Sequence, residues 1–346
     1  MRENPLGVEA FDFAEFAAPD AALLHDLFPK LGFTAVAKHK SKNITLYRQG
    51  TIDFLVNEEP DSFAAKFAAE HGPCCTGFSL VVTDATAAHQ AVLGKDAQDM
   101  TGADGAAVNG PAIKGIGGSM LYLTDRTAGR PTDAEYEALP GVEQNPKGFG
   151  LTFIDHLTHN VYSGNMDEWA NYYTNLFNFF EVKYFDIKGA QTGLRSRAMT
   201  APNGVISIPI NESSDPKSQI NEYLDIYKGE GVQHIALYTD NIYETIEVMH
   251  KQGVEFLDTP DTYYEMVNER IPEHGEDLER MRVNRILIDA DVNEKDKQLL
   301  QIFTQTCIGP IFFEVIQRKG NKGFGEGNFQ ALFESIERDQ QRRGVL

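Results

Sequence analysis

Phe153-Ile154-Asp155-His156-Leu157, Gly231-Val232-Gln233-His234-Ile235-Ala236-Leu237 and Phe312-Phe313-Glu314-Val315-Ile316 read as three short strands. Each sets one good metal ligand among apolar residues, where an uncompensated polar group is costly. Alternate side chains of a strand share a face. His156 therefore lies with Ile154 and Thr158, His234 with Ala236 and Tyr238, and Glu314 with Phe312 and Ile316. His159 points the other way and joins the same ion only if its segment is helical. Two imidazoles and one carboxylate are the facial donor set that suits non-haem Fe(II) and leaves positions open for substrate and dioxygen. The three residues are far apart in sequence, so no spacing rule certifies them. A lone strand histidine is ordinarily a hydrogen-bonded core residue, and the weight of the reading comes from a second pattern.

That pattern is an internal repeat. Phe11-Asp12-Phe13-Ala14-Glu15-Phe16 parallels Ile154-Asp155-His156-Leu157-Thr158-His159, with amphipathic helices expected at 21–31 and 166–177. Thr76-Gly77-Phe78-Ser79-Leu80 parallels Gln233-His234-Ile235-Ala236-Leu237, with helices expected at 85–93 and 242–252. Finally, the stretch from Gly117 to Arg126 parallels that from Gly309 to Arg318. Phe13, Gly77 and Tyr122 then occupy the positions of His156, His234 and Glu314, so one copy has kept a ligand set and the other has lost it. A repeat outranks local signals in setting the fold. The expected class is α+β, with two domains of duplicated βαβββ units, each forming an open barrel-like sheet with helices outside, plus a C-terminal lid helix. The stretch 125–147, with Gly129, Pro131, Pro140 and Pro146 and no sustained apolar period, reads as the connection. The domains are then 1–147, without a metal site, and 148–346, with the site and the C-terminal helix.

The bulk properties narrow the function classes. A chain of 346 residues that is 42% hydrophobic and 24% charged is that of a soluble globular protein. A net charge of -20 argues against nucleic acid or an anionic membrane as partner. Residues 1–9 lack the apolar stretch of a signal peptide, and no run approaches the roughly 20 apolar residues needed to span a bilayer. Cys74, Cys75 and Cys307 have no framework spacing. Reduced thiols in a cytoplasmic protein are expected, the adjacent pair serving as small buried hydrophobes rather than as a metal or redox pair. His25, His39, His71, His89, His250 and His274 sit in helix-like or polar stretches, where a surface position is the default.

Further segments offer polar faces. In Val205 to Asn211, Ile206, Ile208 and Ile210 make an apolar face, and Ser207, Pro209 and Asn211 a face suited to a cavity wall. Pro209 implies an edge or distorted position. Gln301 and Phe303 share a strand face, either as a grip on a phenolic ring or as a satisfied core glutamine beside an aromatic. The run Gly320-Asn321-Lys322-Gly323-Phe324-Gly325-Glu326-Gly327-Asn328-Phe329 has no GK[ST] and only 17 residues after it, too few for a nucleotide-binding unit. It reads as a tight, mobile loop bringing Phe324 and Phe329 over a pocket, with Asn328 capping a helix striped by Phe329, Leu332, Phe333 and Ile336.

On these residues the chain resembles the 4-hydroxyphenylpyruvate dioxygenase family of the vicinal-oxygen-chelate superfamily, over nearly its full length and most closely from about Phe153 onward. Ile208-Pro209-Ile210-Asn211-Glu212, Lys217-Ser218-Gln219-Ile220, the His234 strand, Gln301-Ile302-Phe303-Thr304, the segment from Phe312 to Arg318 and the glycine run carry the resemblance, in the expected order. It implies Fe(II) held by His156, His234 and Glu314. It also implies a substrate pocket of Ser196, Pro209, Asn211, Gln219, Gln301, Phe303, Phe324, Asn328 and Phe329, with Gln301 and Asn211 taking part in catalysis by orienting the substrate. Gln233 is a weaker candidate, because strand alternation turns it away. The implied reaction converts 4-hydroxyphenylpyruvate and dioxygen to homogentisate and carbon dioxide in tyrosine breakdown, by a homo-oligomer (dimer or tetramer) whose first half is silent. Two readings of the same superfamily compete: 4-hydroxymandelate synthase, which hydroxylates the benzylic carbon instead, and a non-catalytic binding protein. An extradiol catechol dioxygenase would add histidine or tyrosine acid–base residues that the sequence does not place.

Overall fold

The structure is a computed structural model that describes residues 2–188, 193–290, 296–328, 330 and 331. The first half contributes β1 (Ala10–Ala17), β2 (Thr34–His39), β3 (Ile44–Gln49), β4 (Ile52–Asn57), β5 (Cys74–Val81), β6 (Ala112–Lys114), β7 (Met120–Thr124) and β8 (Tyr136–Ala138). The second contributes β9 (Leu151–Asn160), β10 (Phe180–Lys188), β11 (Gly193–Thr200), β12 (Ser207–Glu212), β13 (Gly231–Thr239), β14 (Leu287–Ala290), β15 (Gln298–Phe303) and β16 (Phe312–Lys319). They form two eight-stranded mixed sheets, ordered β6-β7-β5-β1-β4-β3-β2-β8 and β10-β11-β12-β9-β13-β16-β15-β14. Helices Ala22–Lys30, Ala85–Leu93, Met166–Phe177 and Ile242–Lys251 follow β1, β5, β9 and β13, as the repeat requires. The amphipathic faces of these helices bury Leu24 and Phe28, Ala88 and Val92, Tyr173 and Phe177, and Ile246 and Met249.

The two sheets share a register as well as a strand order. Tyr122 pairs with Ser79 in the parallel β5–β7 ladder, and Glu314 with Ala236 in the parallel β13–β16 ladder. Glu15 pairs with Gly77, and Thr158 with His234. Both central antiparallel pairs also carry the same two irregularities. One extra residue lies between Phe11 and Ala14 in β1 and one between Ile154 and Leu157 in β9. Another lies in β5 at Thr76 and in β13 at Gln233. A bulge leaves its extra residue unpaired and re-aims the side chains around it. In the second half the extra residues at these two bulges are Asp155 and Gln233, each immediately before a candidate ligand.

The first half has filled the space that the ligands would enclose. Phe13 packs on Tyr122 with ring centroids 5.1 Å apart. A Cβ at Gly77 would meet the Met120 carbonyl at 2.6 Å, so no larger residue fits beside that ring. Tyr122 donates to the buried Glu15 carboxylate at 2.8 Å, and Asn57 donates to it at 2.6 Å. The halves pack through a shared core in which Phe54 stacks on Phe313. His71 bridges them, with Nδ1 2.7 Å from the Tyr227 carbonyl and its ring stacked on Tyr227. Cys74 and Cys75 are buried in this core, and burial pushes the Cys75 thiol up to about 12.

Several expectations need correction. The connecting stretch contains a helix, Pro131–Glu135, and completes the first sheet as β8. Buried Arg48, paired with Asp53, also binds Asp133, while Thr132 donates to Asp53, and these bonds pin the helix down. His39, His71 and His274 are buried rather than at the surface. His274 is held by Asn268 at 2.9 Å and accepts from the Glu276 amide at 3.0 Å. Pro209 does not lie on an edge strand, since β12 runs between β11 and β9. The β9–β12 ladder nevertheless skips from Ser207 to Ile210, so the missing proline donor falls in a gap in the pairing. Residues 326–328, 330 and 331 are helical, and Phe329, Leu332, Phe333 and Ile336 of the expected C-terminal helix lie outside the described residues. No helix among the described residues is long and apolar enough to cross a membrane.

Burial raises the Glu15 carboxyl above its ordinary range, against the hydrogen bonds from Asn57, Tyr122 and Thr76 that lower it. As pH rises from about 4.3, the unfolded chain ionises first, so this residue's contribution to stability falls through the raised folded pKa. Glu15→Gln should remove that component and flatten the denaturant midpoint against pH over that window. A slope identical to that of the unsubstituted chain would contradict the assignment.

Candidate metal centre

β9, β13 and β16 lie side by side at the centre of the second sheet and turn His156, His234 and Glu314 to one point. His156 Nε2 is 3.2 Å from Glu314 Oε2, His234 Nε2 is 3.4 Å from the same oxygen, and the two Nε2 atoms are 3.4 Å apart. Adjacent donors on an octahedral ion bonded at about 2.1 Å stand about 3 Å apart. The near-equilateral triangle therefore fits one face of such an ion, and its nitrogen and oxygen donors suit a divalent transition metal. His156 and Glu314 are each only 3% exposed, so three polar groups share a nearly dry site.

Both imidazoles are held from behind. His156 Nδ1 donates to Asp155 Oδ1 at 2.8 Å, and Arg318 grips the same carboxylate with two bonds of 2.7 Å. His234 Nδ1 is 2.9 Å from Gln233 Oε1, and its Nε2 lies 3.0 Å from the Thr158 hydroxyl. Each Nδ1 partner is the extra residue of a bulge. Phe312 stacks on the His234 ring at 4.8 Å, and Phe324 meets His156 edge-on at 5.6 Å.

The charges are strongly coupled. Burial alone would push the His156 imidazole down, but the Glu314 and Asp155 carboxylates hold it up at about 9. Burial would raise Glu314, but the imidazoles, His156 first, bring it down to about 2. For Asp155 burial is likewise overcome, and Arg318 with His156 holds the carboxyl well below the usual range. The three groups thus form a buried, ion-paired cluster, and a divalent cation held by them would require the His156 imidazole in its neutral form. His159 has no part in this: it lies on the opposite face, 2.7 Å from the Tyr173 hydroxyl, and burial pushes it down to about 3.

The triangle forms part of the wall of a cavity of about 340 Å³. Of the residues expected in a substrate pocket, Ser196, Pro209, Asn211, Gln219, Phe303 and Phe324 line it. Gln301 and Asn328 do not. Gln301 stands two pairs along the β15–β16 ladder from the Phe303–Glu314 pair, on the same face as Phe303, but Gly325 covers it so closely that a Cβ there would lie 1.8 Å from its Oε1. That oxygen is buried and has no hydrogen-bond partner among the described residues. Asn328 is a helical residue rather than a cap, and its Oδ1 accepts from the Tyr263 hydroxyl at 2.6 Å and from Arg270 at 3.4 Å. Phe329 lies outside the described residues.

Sequence reasoning gave Gln233 as a weaker candidate and missed other lining residues. Gln233 lines the cavity, because the bulge at this residue breaks the alternation that would have turned it away. Thr158 and Phe312 share faces with His156 and Glu314, a signal legible in the strand period. Phe185, Leu194 and Leu257 come from a hairpin and a loop with no such signal. No lysine or arginine, no tyrosine and no third histidine is among the described lining residues.

Comparison with known proteins gives this geometry a family. Residues 2–137 match a family model described as hydroxyphenylpyruvate dioxygenase, N-terminal, and residues 153–268 match the glyoxalase/bleomycin resistance protein/dioxygenase superfamily. A 4-hydroxyphenylpyruvate dioxygenase of Legionella pneumophila (strain Corby) is 52% identical, over 100% of this chain and 99% of its own length. One of Pseudomonas aeruginosa is 51% identical, over 100% of this chain and 98% of its own. A solved structure of a triple mutant of 4-hydroxymandelate synthase from Streptomyces coelicolor covers 96% of this chain and 99% of its own, with a TM-score of 0.81 and 24% identity, and so shares the fold. With half its residues shared along the entire length of such relatives, this chain belongs to the 4-hydroxyphenylpyruvate dioxygenase family.

Proposed function

We propose that this chain is an Fe(II)-dependent oxidoreductase that converts 4-hydroxyphenylpyruvate and dioxygen to homogentisate and carbon dioxide in tyrosine catabolism. The observation that carries the reading is the donor triangle at 3.2 to 3.4 Å in the wall of a cavity with several phenylalanines in its described lining. A 2-oxo acid is an anion, and no lysine or arginine among the described lining residues meets its charge. His156, His234 and Glu314 would hold a divalent iron, which would supply that charge and the redox chemistry that dioxygen requires.

The remaining residues bind and orient. Phe303, Phe312 and Phe324 enclose the ring and keep water from the reacting carbon. Ser196 and Asn211 face each other across the β11–β12 ladder. Asn211 is four residues along β12 from Ser207, the partner of His156, or roughly 13 Å at the strand rise. Ser196, Asn211 and Gln219 thus offer hydrogen bonds to a phenolic hydroxyl at the end of the cavity away from the metal. Gln301, whose Oε1 has no partner among the described residues, reaches the substrate when the loop at Gly325 lifts. Pro209 shapes the wall between the two ends.

The chain divides into an N-terminal unit (1–147), without a metal site, and a catalytic unit (148–346), and the protein works in the cytoplasm as a dimer or tetramer. A cavity without tyrosine or a third histidine among its described lining residues disfavours extradiol cleavage. 4-Hydroxymandelate synthase shares the fold, and product identity separates the two.

Iron-loaded protein given 4-hydroxyphenylpyruvate should take up dioxygen and release homogentisate. 4-Hydroxymandelate as product, or no uptake at all, would refute the assignment. Glu314→Ala should abolish iron binding and activity with the fold intact by circular dichroism, whereas His159→Ala should keep the metal. Gly325→Ala places a side chain at φ +74 against Gln301. It should retain iron yet lose at least about tenfold in kcat/KM by displacing the loop, as steady-state kinetics would show.

A further inference from the structure

The two halves make a natural comparison, because they share strand order, register and both bulges while only one has kept the ligands. The first bulge residue is an aspartate in each half. Asp12 accepts from Thr124 at 2.9 Å and from Arg126 at 3.1 Å, much as Asp155 pairs with Arg318, and Arg126 and Arg318 are equivalent positions of the repeat. The aspartate–arginine pair therefore belongs to the fold and persists where there is no ligand to orient. The second bulge residue differs. In the silent half it is Thr76, whose hydroxyl donates to the Glu15 carbonyl at 3.3 Å. In the other half it is Gln233, long enough to place Oε1 2.9 Å from His234 Nδ1.

We propose that Gln233 is a positioning residue that fixes His234 as its Nδ1–H tautomer and so presents the Nε2 lone pair to the metal. This rests on the reading of His156, His234 and Glu314 as the ligand set. An amide oxygen only accepts, so Nδ1 facing it carries the proton, and the neutral ring then has a bare Nε2. The Thr158 hydroxyl, 3.0 Å from Nε2, donates to that lone pair in the absence of an ion. A strand without the bulge would turn residue 233 to the opposite face, away from this ring. The bulge serves the His234 site only because its extra residue is a glutamine. Its partner across the site differs in kind: His156 is backed by a carboxylate and His234 by a neutral amide, so the two imidazoles are unequal donors.

Co(II) titration of the metal-free full-length chain, followed through the Co(II) absorption bands, tests this. Gln233→Leu should weaken Co(II) about 10- to 100-fold and shift the bands, while the unfolding midpoint of the metal-free protein stays where it is. Gln233→Glu keeps the acceptor and should bind at least as tightly as the unsubstituted chain. Unsubstituted affinity and bands in Gln233→Leu, or a loss in Gln233→Glu as large as in Gln233→Leu, would overturn the positioning role. Glu314→Ala separates this failure from failure of the site itself. If that variant keeps full Co(II) affinity the ligand set is wrong, whereas if it loses Co(II) while Gln233→Leu does not, only the role of Gln233 falls.

Discussion

Everything that is chemically distinctive about this protein depends on the interruption of one β-ladder. β9 and β13 pair antiparallel at the centre of the second sheet, and two single-residue bulges between them set the direction of His156 and His234. Between the bulges the register is regular, so Thr158 faces His234 and Ala236 faces His156. The parallel neighbour β16 then brings Glu314 opposite Ala236. Three donors from three strands meet because one small residue, Ala236, leaves room between the other two side chains.

Such a meeting is electrostatically expensive, and the protein offsets the cost in layers. Burying an ion pair costs several kcal/mol per ion unless each charge is fully partnered. Here Glu314 faces two imidazoles, His156 lies between two carboxylates, and Asp155 is answered by both nitrogens of the Arg318 fork. Arg318 also donates to the Asn321 and Gly323 carbonyls, which ties the loop carrying Phe324 to the same network. The silent half shows the alternative solution to the same geometry. There Phe13 and Tyr122 fill the space, and Glu15 is satisfied by Tyr122 and Asn57. The aspartate–arginine pair survives even so, which identifies it as part of the scaffold.

The described lining of the cavity beside the triangle combines phenylalanines with neutral polar side chains and the Glu326 carboxylate. Phe303, Phe312 and Phe324 offer ring edges and faces, while Ser196, Asn211 and Gln219 offer hydrogen bonds without charge. A flat phenol with an anionic tail fits such a distribution when the tail is answered by a cation at the histidines.

Much of this was legible in the sequence, and the boundary of legibility is instructive. Period-two alternation placed Thr158 with His156 and Phe312 with Glu314, and the repeat matched Phe13, Gly77 and Tyr122 to the ligands with the register that the ladders show. Both are local or copied properties, carried by residue spacing alone. Alternation failed where the ladder is irregular: Gln233 was turned the wrong way, because a bulge is a relation between two strands and leaves no mark on either one. Gln301 and Asn328 were matched by motif, yet Gly325 closes over the first and Tyr263 and Arg270 hold the second, both through packing between distant segments. The helix in the connecting stretch was hidden because the Arg48–Asp53 pair that binds it lies some eighty residues earlier. The sequence by itself pointed to the fold, the duplication and the three side chains that the structure brings to one point. Only the tertiary structure decided which neighbours back them, because that depends on pairing register and on contacts between segments remote in the chain.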